Sequence, residues 1–377
     1  MSHFLTDEQE LLQQSIRLFT TTAVKPRAMA IHTSNDIPVD LVRQLGTMGM
    51  VGTLLPEEVG GSGLGYTEAA VICEELAKES PGLSMCFSAC MIAPGLLLTH
   101  PGLVEKYMPG ILAGEVLVQT AMTPPEGSTN HSEWTVFARR DGDEWVLNGT
   151  RLYITGNGRG DVALSIGVTD AGEIKMFAVE KGTPGFDNSH VEKKMGLSGQ
   201  NCGTITYTNC RVPADLEVPF DMTNPDNKLF VGAYALMAAV ALGTAEGAHA
   251  KTIEYLKRRT RAGQPVASLQ AVAHRLAEND TKIELGRALL YDACRLMDED
   301  RMIRKLIHMS KVWICDMAID VAKDCVQLFG GLGYVEETGI ARYMDDAVGT
   351  SIGDMTPGLH LQTIAYLMGL PDQQPGA

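Results

Sequence analysis

The sequence predicts an α+β protein with a helical N-terminal region, a central β region and a helical C-terminal region. Three observations predict it. Apolar residues recur at helical spacing through residues 1–119, short alternating runs broken by Gly and Pro occupy 120–225, and the helical period returns over 226–377. Helices, then strands, then helices argue for separate domains rather than a βαβ repeat. No GxGxxG follows a strand, so a Rossmann nucleotide site is not expected.

In the first region Thr6 and Gln9 are spaced as a capping box, and Leu12, Ile16 and Phe19 follow on one helical face. Further helices are expected at 40–50, 67–78 and 84–98, the last apolar on most sides and so buried. The glycines of 56–63 mark a loop. In the second region 144–155 reads as two extended runs around an Asn148-Gly149 hairpin turn, with further strands at 162–168, 175–180 and 203–207. In the third, helices are expected at 229–256, 268–297, 304–330 and 359–368.

The chain of 377 residues is 45% apolar and 20% charged, which suits globular domains with a large core. A net charge of −15 argues against a nucleic-acid partner or an anionic membrane surface. No apolar run is read as long enough to span a bilayer, and the first residues show no basic signal-peptide start, so a cytoplasmic protein is expected. The eight cysteines form no CxxC pair, and no His stands at metal-ligand spacing beside Cys86 and Cys90. They are read as reduced core residues, and no metal site is expected.

Six short segments, in order along almost the whole chain, resemble the acyl-CoA dehydrogenase family. Leu55-Pro56-Glu57-Glu58-Val59-Gly60-Gly61-Ser62-Gly63 is similar to a family loop, and 120–128 to the first-strand motif. Leu147-Asn148-Gly149-Thr150-Arg151-Leu152-Tyr153-Ile154-Thr155 and the span from Lys194-Met195-Gly196 to Arg211-Val212-Pro213 resemble two more. Gln327-Leu328-Phe329-Gly330-Gly331-Leu332-Gly333-Tyr334 resembles the flavin-nucleotide signature, and Asp354-Met355-Thr356 falls on the family's catalytic Glu-Gly-Thr.

The resemblance implies an N-terminal all-α domain, a central β-barrel-like domain and a C-terminal four-helix bundle, with FAD between the last two. It implies that Thr123, Tyr153 and Thr155 meet the flavin ring and that Ser128 touches the ligand beside it. Arg259, in Arg259-x-x-Ala262-Gly263-x-Pro265, matches an arginine that reaches the flavin pyrophosphate of a neighbouring subunit. A guanidinium suits a diphosphate by its fork geometry and fixed charge. Gln327, Gly330 and Gly331 match the turn that approaches the adenosine end, and Thr356 joins the cofactor-binding set. A homotetramer is implied, because the nucleotide end of the site is shared between subunits.

By the same resemblance Asp354 takes the α-proton of an acyl thioester while the β-hydride passes to flavin N5, and electrons leave to an electron-transfer flavoprotein. Two alternatives stay open: the same site run as an enoyl-CoA reductase, or a non-catalytic family member serving as a partner subunit. The helix near 230 offers Val231, Ala233 and Tyr234 where other members place a base or an arginine, so Asp354 is the only family-positioned carboxylate. Aspartate is shorter than glutamate by one carbon–carbon bond, about 1.5 Å. Gly353 replaces a bulkier residue and opens room beside the base, while Met355 replaces glycine and fills space beside the acyl chain. The expected pocket is one rebuilt for an unusual acyl group.

Overall fold

The computed structural model describes residues 4–127, 133–221, 224, 227–301 and 304–371. Six helices come first: α1 (Asp7–Phe19), α2 (Ala28–Ser34), α3 (Val39–Thr47), α4 (Tyr66–Ala77), α5 (Pro81–Ile92) and α6 (Pro101–Leu112). Thr6 starts α1 with the expected capping box, its hydroxyl accepting from the Gln9 amide while the Gln9 side chain accepts from the Thr6 amide. Buried Ile16 and Phe19 face the core. Pro81 opens α5 at a position where a missing N–H costs nothing.

The strands follow: β1 (Val118–Ala121), β2 (Val136–Asp141), β3 (Glu144–Thr155), β4 (Val162–Thr169), β5 (Ile174–Glu180), β6 (Phe186–Val191), β7 (Cys202–Pro213) and β8 (Glu217–Val218). The ladder runs β6-β7-β3-β2-β4-β5-β8, with β1 parallel to β4. β4 is buried along its whole length and its side chains alternate between two cores. Val162, Leu164 and Ile166 join the helical core, while Ala163 joins Phe137, Trp145, Phe177 and Tyr207 inside the sheet. Phe137 meets Tyr207 edge-on at 5.0 Å.

The expected hairpin at Asn148-Gly149 is corrected. Residues 144–155 form one continuous strand paired to β7, and the register shifts between Leu147 and Gly149. The Asn-Gly pair is a bulge: Gly149 takes φ +128, and the Asn148 side chain accepts the Asn209 amide at 2.8 Å. Turn chemistry was present, but β7 offered a partner long enough to keep the chain extended. The tight hairpin lies instead between β2 and β3, where Asp141 pairs with Glu144 and Gly142 has φ +61.

The C-terminal helices are α7 (Lys228–Arg258), α8 (Gln270–Asp298), α9 (Arg304–Phe329), α10 (Ala341–Ile352) and α11 (Pro357–Leu367), with a short β9–β10 hairpin (Thr260–Arg261, Gln264–Pro265) before α8. Gly243 and Gly247 let α7 approach the end of α4: a Cβ at either would lie 2.1 Å from the Glu74 or Lys78 carbonyl oxygen. The expectation about apolar runs is also corrected. Pro81–Thr99 and Lys228–Arg258 are long and apolar enough to cross a membrane, but 72% of each apolar window is buried inside the fold. All eight cysteines are free, seven of them buried.

Candidate active site

The sequence-predicted site residues fall into three sets, each set by a different element pair. The first is at the end of β3. Tyr153 takes φ +59 and is 69% exposed, an uncommon position for a bulky side chain in a strand. Thr123 lies alongside, its carbonyl accepting the Leu152 amide at 2.8 Å. The Thr155 hydroxyl accepts from Gln200 at 2.9 Å, and the Thr155 carbonyl from Gln119 at 3.3 Å. Thr123, Tyr153 and Thr155 therefore form one surface with an open aromatic face. Ser128 lies outside the described residues.

The second set is an open groove of about 800 Å³ lined by Tyr255, Arg258, Arg259, Gly331 and Leu332. Arg259 sits at the C-terminal end of α7 and donates to the Phe329 carbonyl at 3.0 Å and to the Tyr255 hydroxyl at 2.7 Å. Tyr255 in turn stacks on Phe329, with centroids 4.1 Å apart. Gly330, at φ +67, turns the chain out of α9, and a side chain at Gly331 would point into open space. Gln327 is exposed on the last turn of α9, outside the groove lining. Two arginines over an open glycine turn fit the diphosphate of a dinucleotide, and the bare Tyr153 face fits a flat ring system. Tyr255 was missed in the sequence. Its i, i+4 spacing to Arg259 was the signal available.

The third set surrounds Asp354, in the turn between α10 and α11. Asp354 (φ +51) and Met355 (φ +86) both adopt left-handed backbone, which costs a non-glycine residue about 1–2 kcal/mol. Solvent reaches the Asp354 side chain. Protein nonetheless crowds it closely enough that lost hydration pushes its carboxyl up to about 6, against the pull of the Lys311 ammonium. Thr356 is the N-cap residue of α11, with its carbonyl accepting the His360 amide at 3.2 Å.

Lys311 of α9 is buried and donates to the carbonyls of Thr350 at 2.8 Å and Ser351 at 3.0 Å. It therefore closes the C-terminal end of α10, where unpaired carbonyls favour a cation. Tyr234 lies near Asp354 from α7, and neither it nor buried Val231 offers a carboxylate. The room expected beside Gly353 is taken by Met237, whose methyl would lie 2.8 Å from a Cβ at that position. The first and third sets are linked through 196–201. Gln200 bonds Thr155, the Leu197 amide donates to Asp346 of α10 at 2.5 Å, and the Leu197 side chain packs on Gly349.

Comparison with known proteins gives the family. Residues 6–115, 119–210 and 230–368 match the models for the acyl-CoA dehydrogenase N-terminal, middle and C-terminal domains. An acyl-CoA dehydrogenase of Bacillus subtilis is 30% identical over 380 residues, covering 97% of this chain and 99% of its own. The chain belongs to the acyl-CoA dehydrogenase family. This acyl-CoA dehydrogenase family member is 30% identical to an acryloyl-CoA reductase (NADH) of Anaerotignum propionicum, over 97% of this chain and 95% of that one. It superposes on butyryl-CoA dehydrogenase from Megasphaera elsdenii with a TM-score of 0.91 at 28% identity, over 98% of this chain and all of the other. The family is one of FAD-dependent oxidoreductases of acyl-CoA thioesters, and the expected fold, cofactor and enzyme class hold for this member.

Proposed function

We propose that this protein oxidises the Cα–Cβ bond of an acyl-CoA thioester with Asp354 as the base for the α-proton. The carrying observation is the placement of Asp354 in the turn between α10 and α11, near Tyr234 and Lys311, with its carboxyl raised to about 6 and no second carboxylate at 229–235 of α7. A base poised near neutral pH holds its proton long enough to accept it and loses it easily afterwards. FAD, when bound, supplies the acceptor for the β-hydride. In this reading Thr123, Tyr153, Thr155 and Thr356 seat the ring end, while Arg259, Gln327, Gly330 and Gly331 seat the nucleotide end. Ser128 completes the set by resemblance. The chain divides into functional units at 1–119, 120–225 and 226–377.

The enoyl-CoA reductase reading has its own support. A carboxyl at about 6 is partly protonated near neutral pH and serves as an α-proton donor as readily as a base. We further propose a homotetramer that passes electrons to an electron-transfer flavoprotein. Exposed Leu285, Met309, Trp313, Leu361 and Tyr366 on the C-terminal helices support self-association. Seven buried, unpaired cysteines support a reducing cytoplasmic setting. The direction is tested anaerobically on FAD-loaded protein with matched short-chain acyl-CoA and enoyl-CoA compounds. Bleaching of the oxidised flavin by the saturated thioester supports the dehydrogenase. Reoxidation of the reduced flavin by the enoyl thioester alone supports the reductase. Protein that purifies colourless and takes up no FAD overturns both.

A further inference from the structure

Behind Asp354 lies a polar cluster that neither reading uses. His308 of α9 and His360 of α11 are both buried, and their Nδ1 atoms are 2.6 Å apart. A bond of that length needs one proton between the two nitrogens, so one imidazole donates and the other accepts. Tyr234 of α7 closes the cluster, its ring 5.4 Å from that of His308 and 5.0 Å from that of His360. Burial first, then neighbouring positive charge, pushes His308 down to about 4 and His360 down to about 3, so both rings are neutral at neutral pH.

The second observation concerns the other nitrogen. His360 Nε2 is buried with no partner of hydrogen-bond geometry among the described residues. The Asp354 and Met355 backbone beside the ring only partly counters the downward push on His360. Either ring can be the donor across the Nδ1–Nδ1 contact, and the bond joins α9 to α11 in both cases.

The third observation is spacing. His308 and Lys311 are three residues apart on α9 and so share a face. Lys311 holds the carbonyls of Thr350 and Ser351 before the strained turn, and His308 holds His360 after it. The turn carrying Asp354 and Met355, both at positive φ, is thus gripped at both ends from one helix face. We infer that His308 and His360 are positioning residues for Asp354: their bond ties the first turn of α11 to α9, opposite the Lys311 hold on the end of α10, and so keeps the Asp354–Met355 turn between them in place. This rests on the reading of Asp354 as the proton-transferring group.

The test reads the carboxyl directly, on full-length FAD-loaded protein. Infrared titration with isotope-labelled aspartate follows the Asp354 band, assigned by its loss in Asp354→Asn. The wild-type midpoint is expected near 6. His308→Leu and His360→Leu release the turn toward solvent and lower the midpoint by about one unit or more. His308→Asn places an amide, able to donate or accept, near the position of Nδ1 and returns the midpoint to within about 0.3 unit of wild type. Should either leucine variant fail to fold, His308→Phe, which keeps the ring volume and loses the bond, takes its place. Midpoints equal to wild type in the folded Leu or Phe variants overturn the inference. So does a His308→Asn midpoint that shifts as far as that of the Leu or Phe variant. Loss of the base reading would show instead as unimpaired turnover in Asp354→Asn, a result the titration does not depend on.

Discussion

At the scale of the residue, the account turns on a carboxylate one methylene short of the family's. Aspartate at 354 is accommodated by a turn in which both it and Met355 take left-handed backbone, and the freed space at Gly353 is filled by Met237. The same desolvation that suits Asp354 to proton transfer makes its charge unfavourable in the folded state. Its folded value, about 6, lies above the ordinary aspartate value of 3.8. The folded state is therefore relatively favoured below about pH 4, and that advantage is lost as pH rises through 6. Asp354→Asn should accordingly raise the melting temperature at pH 7–8 and leave it unchanged near pH 4, as read by scanning calorimetry at the two pH values. The sequence made Asp354 legible because a short motif fixes it relative to Gly330. It did not show His308 or His360. They stand 52 positions apart, each looks like an ordinary polar residue in an apolar helix, and only packing brings their rings together.

At the scale of the element, charge burial decides more than propensity. Glu74 of α4 is fully buried, accepts the Tyr291 hydroxyl at 2.5 Å and receives Arg287 of α8 at 3.0–3.1 Å, while Arg287 also meets Glu246 of α7 at 2.5 Å. Burial raises the Glu74 carboxyl to about 7, with Arg287 pulling it back. Removing the guanidinium leaves a buried carboxylate without its cation, which typically costs about 3–5 kcal/mol. Arg287→Leu is expected to lose stability on that scale in denaturant unfolding, and a loss under about 1 kcal/mol would show the network to be water-compensated. The expected C-terminal helices at 229–256, 268–297, 304–330 and 359–368 were readable from period alone, with ends within about two residues of α7, α8, α9 and α11, but α10 (Ala341–Ile352) was not expected. The Asn148-Gly149 bulge was not. An Asn-Gly pair signals a turn in a lone segment, and only the presence of β7 across twelve residues keeps that segment one strand.

At the scale of the whole molecule, the proposed site draws on α7, α9, α10, α11 and the sheet. α9 alone contributes His308, Lys311 and the Gln327–Gly331 turn, so its length joins the catalytic turn to the nucleotide groove. The order of helical, strand and helical regions was legible because each keeps its own hydrophobic period. The burial of two membrane-length apolar helices was not, since length and composition are alike for a core helix and a spanning one. The central claim is that Asp354 moves the α-proton within an FAD-dependent acyl-CoA oxidoreductase. Its most direct test is the rate of anaerobic flavin reduction by a saturated acyl-CoA, in wild type and Asp354→Asn, both fully loaded with FAD. A fall of about 100-fold or more, with substrate binding retained, is the predicted result. Flavin reduction by the asparagine variant at a rate close to wild type would contradict it.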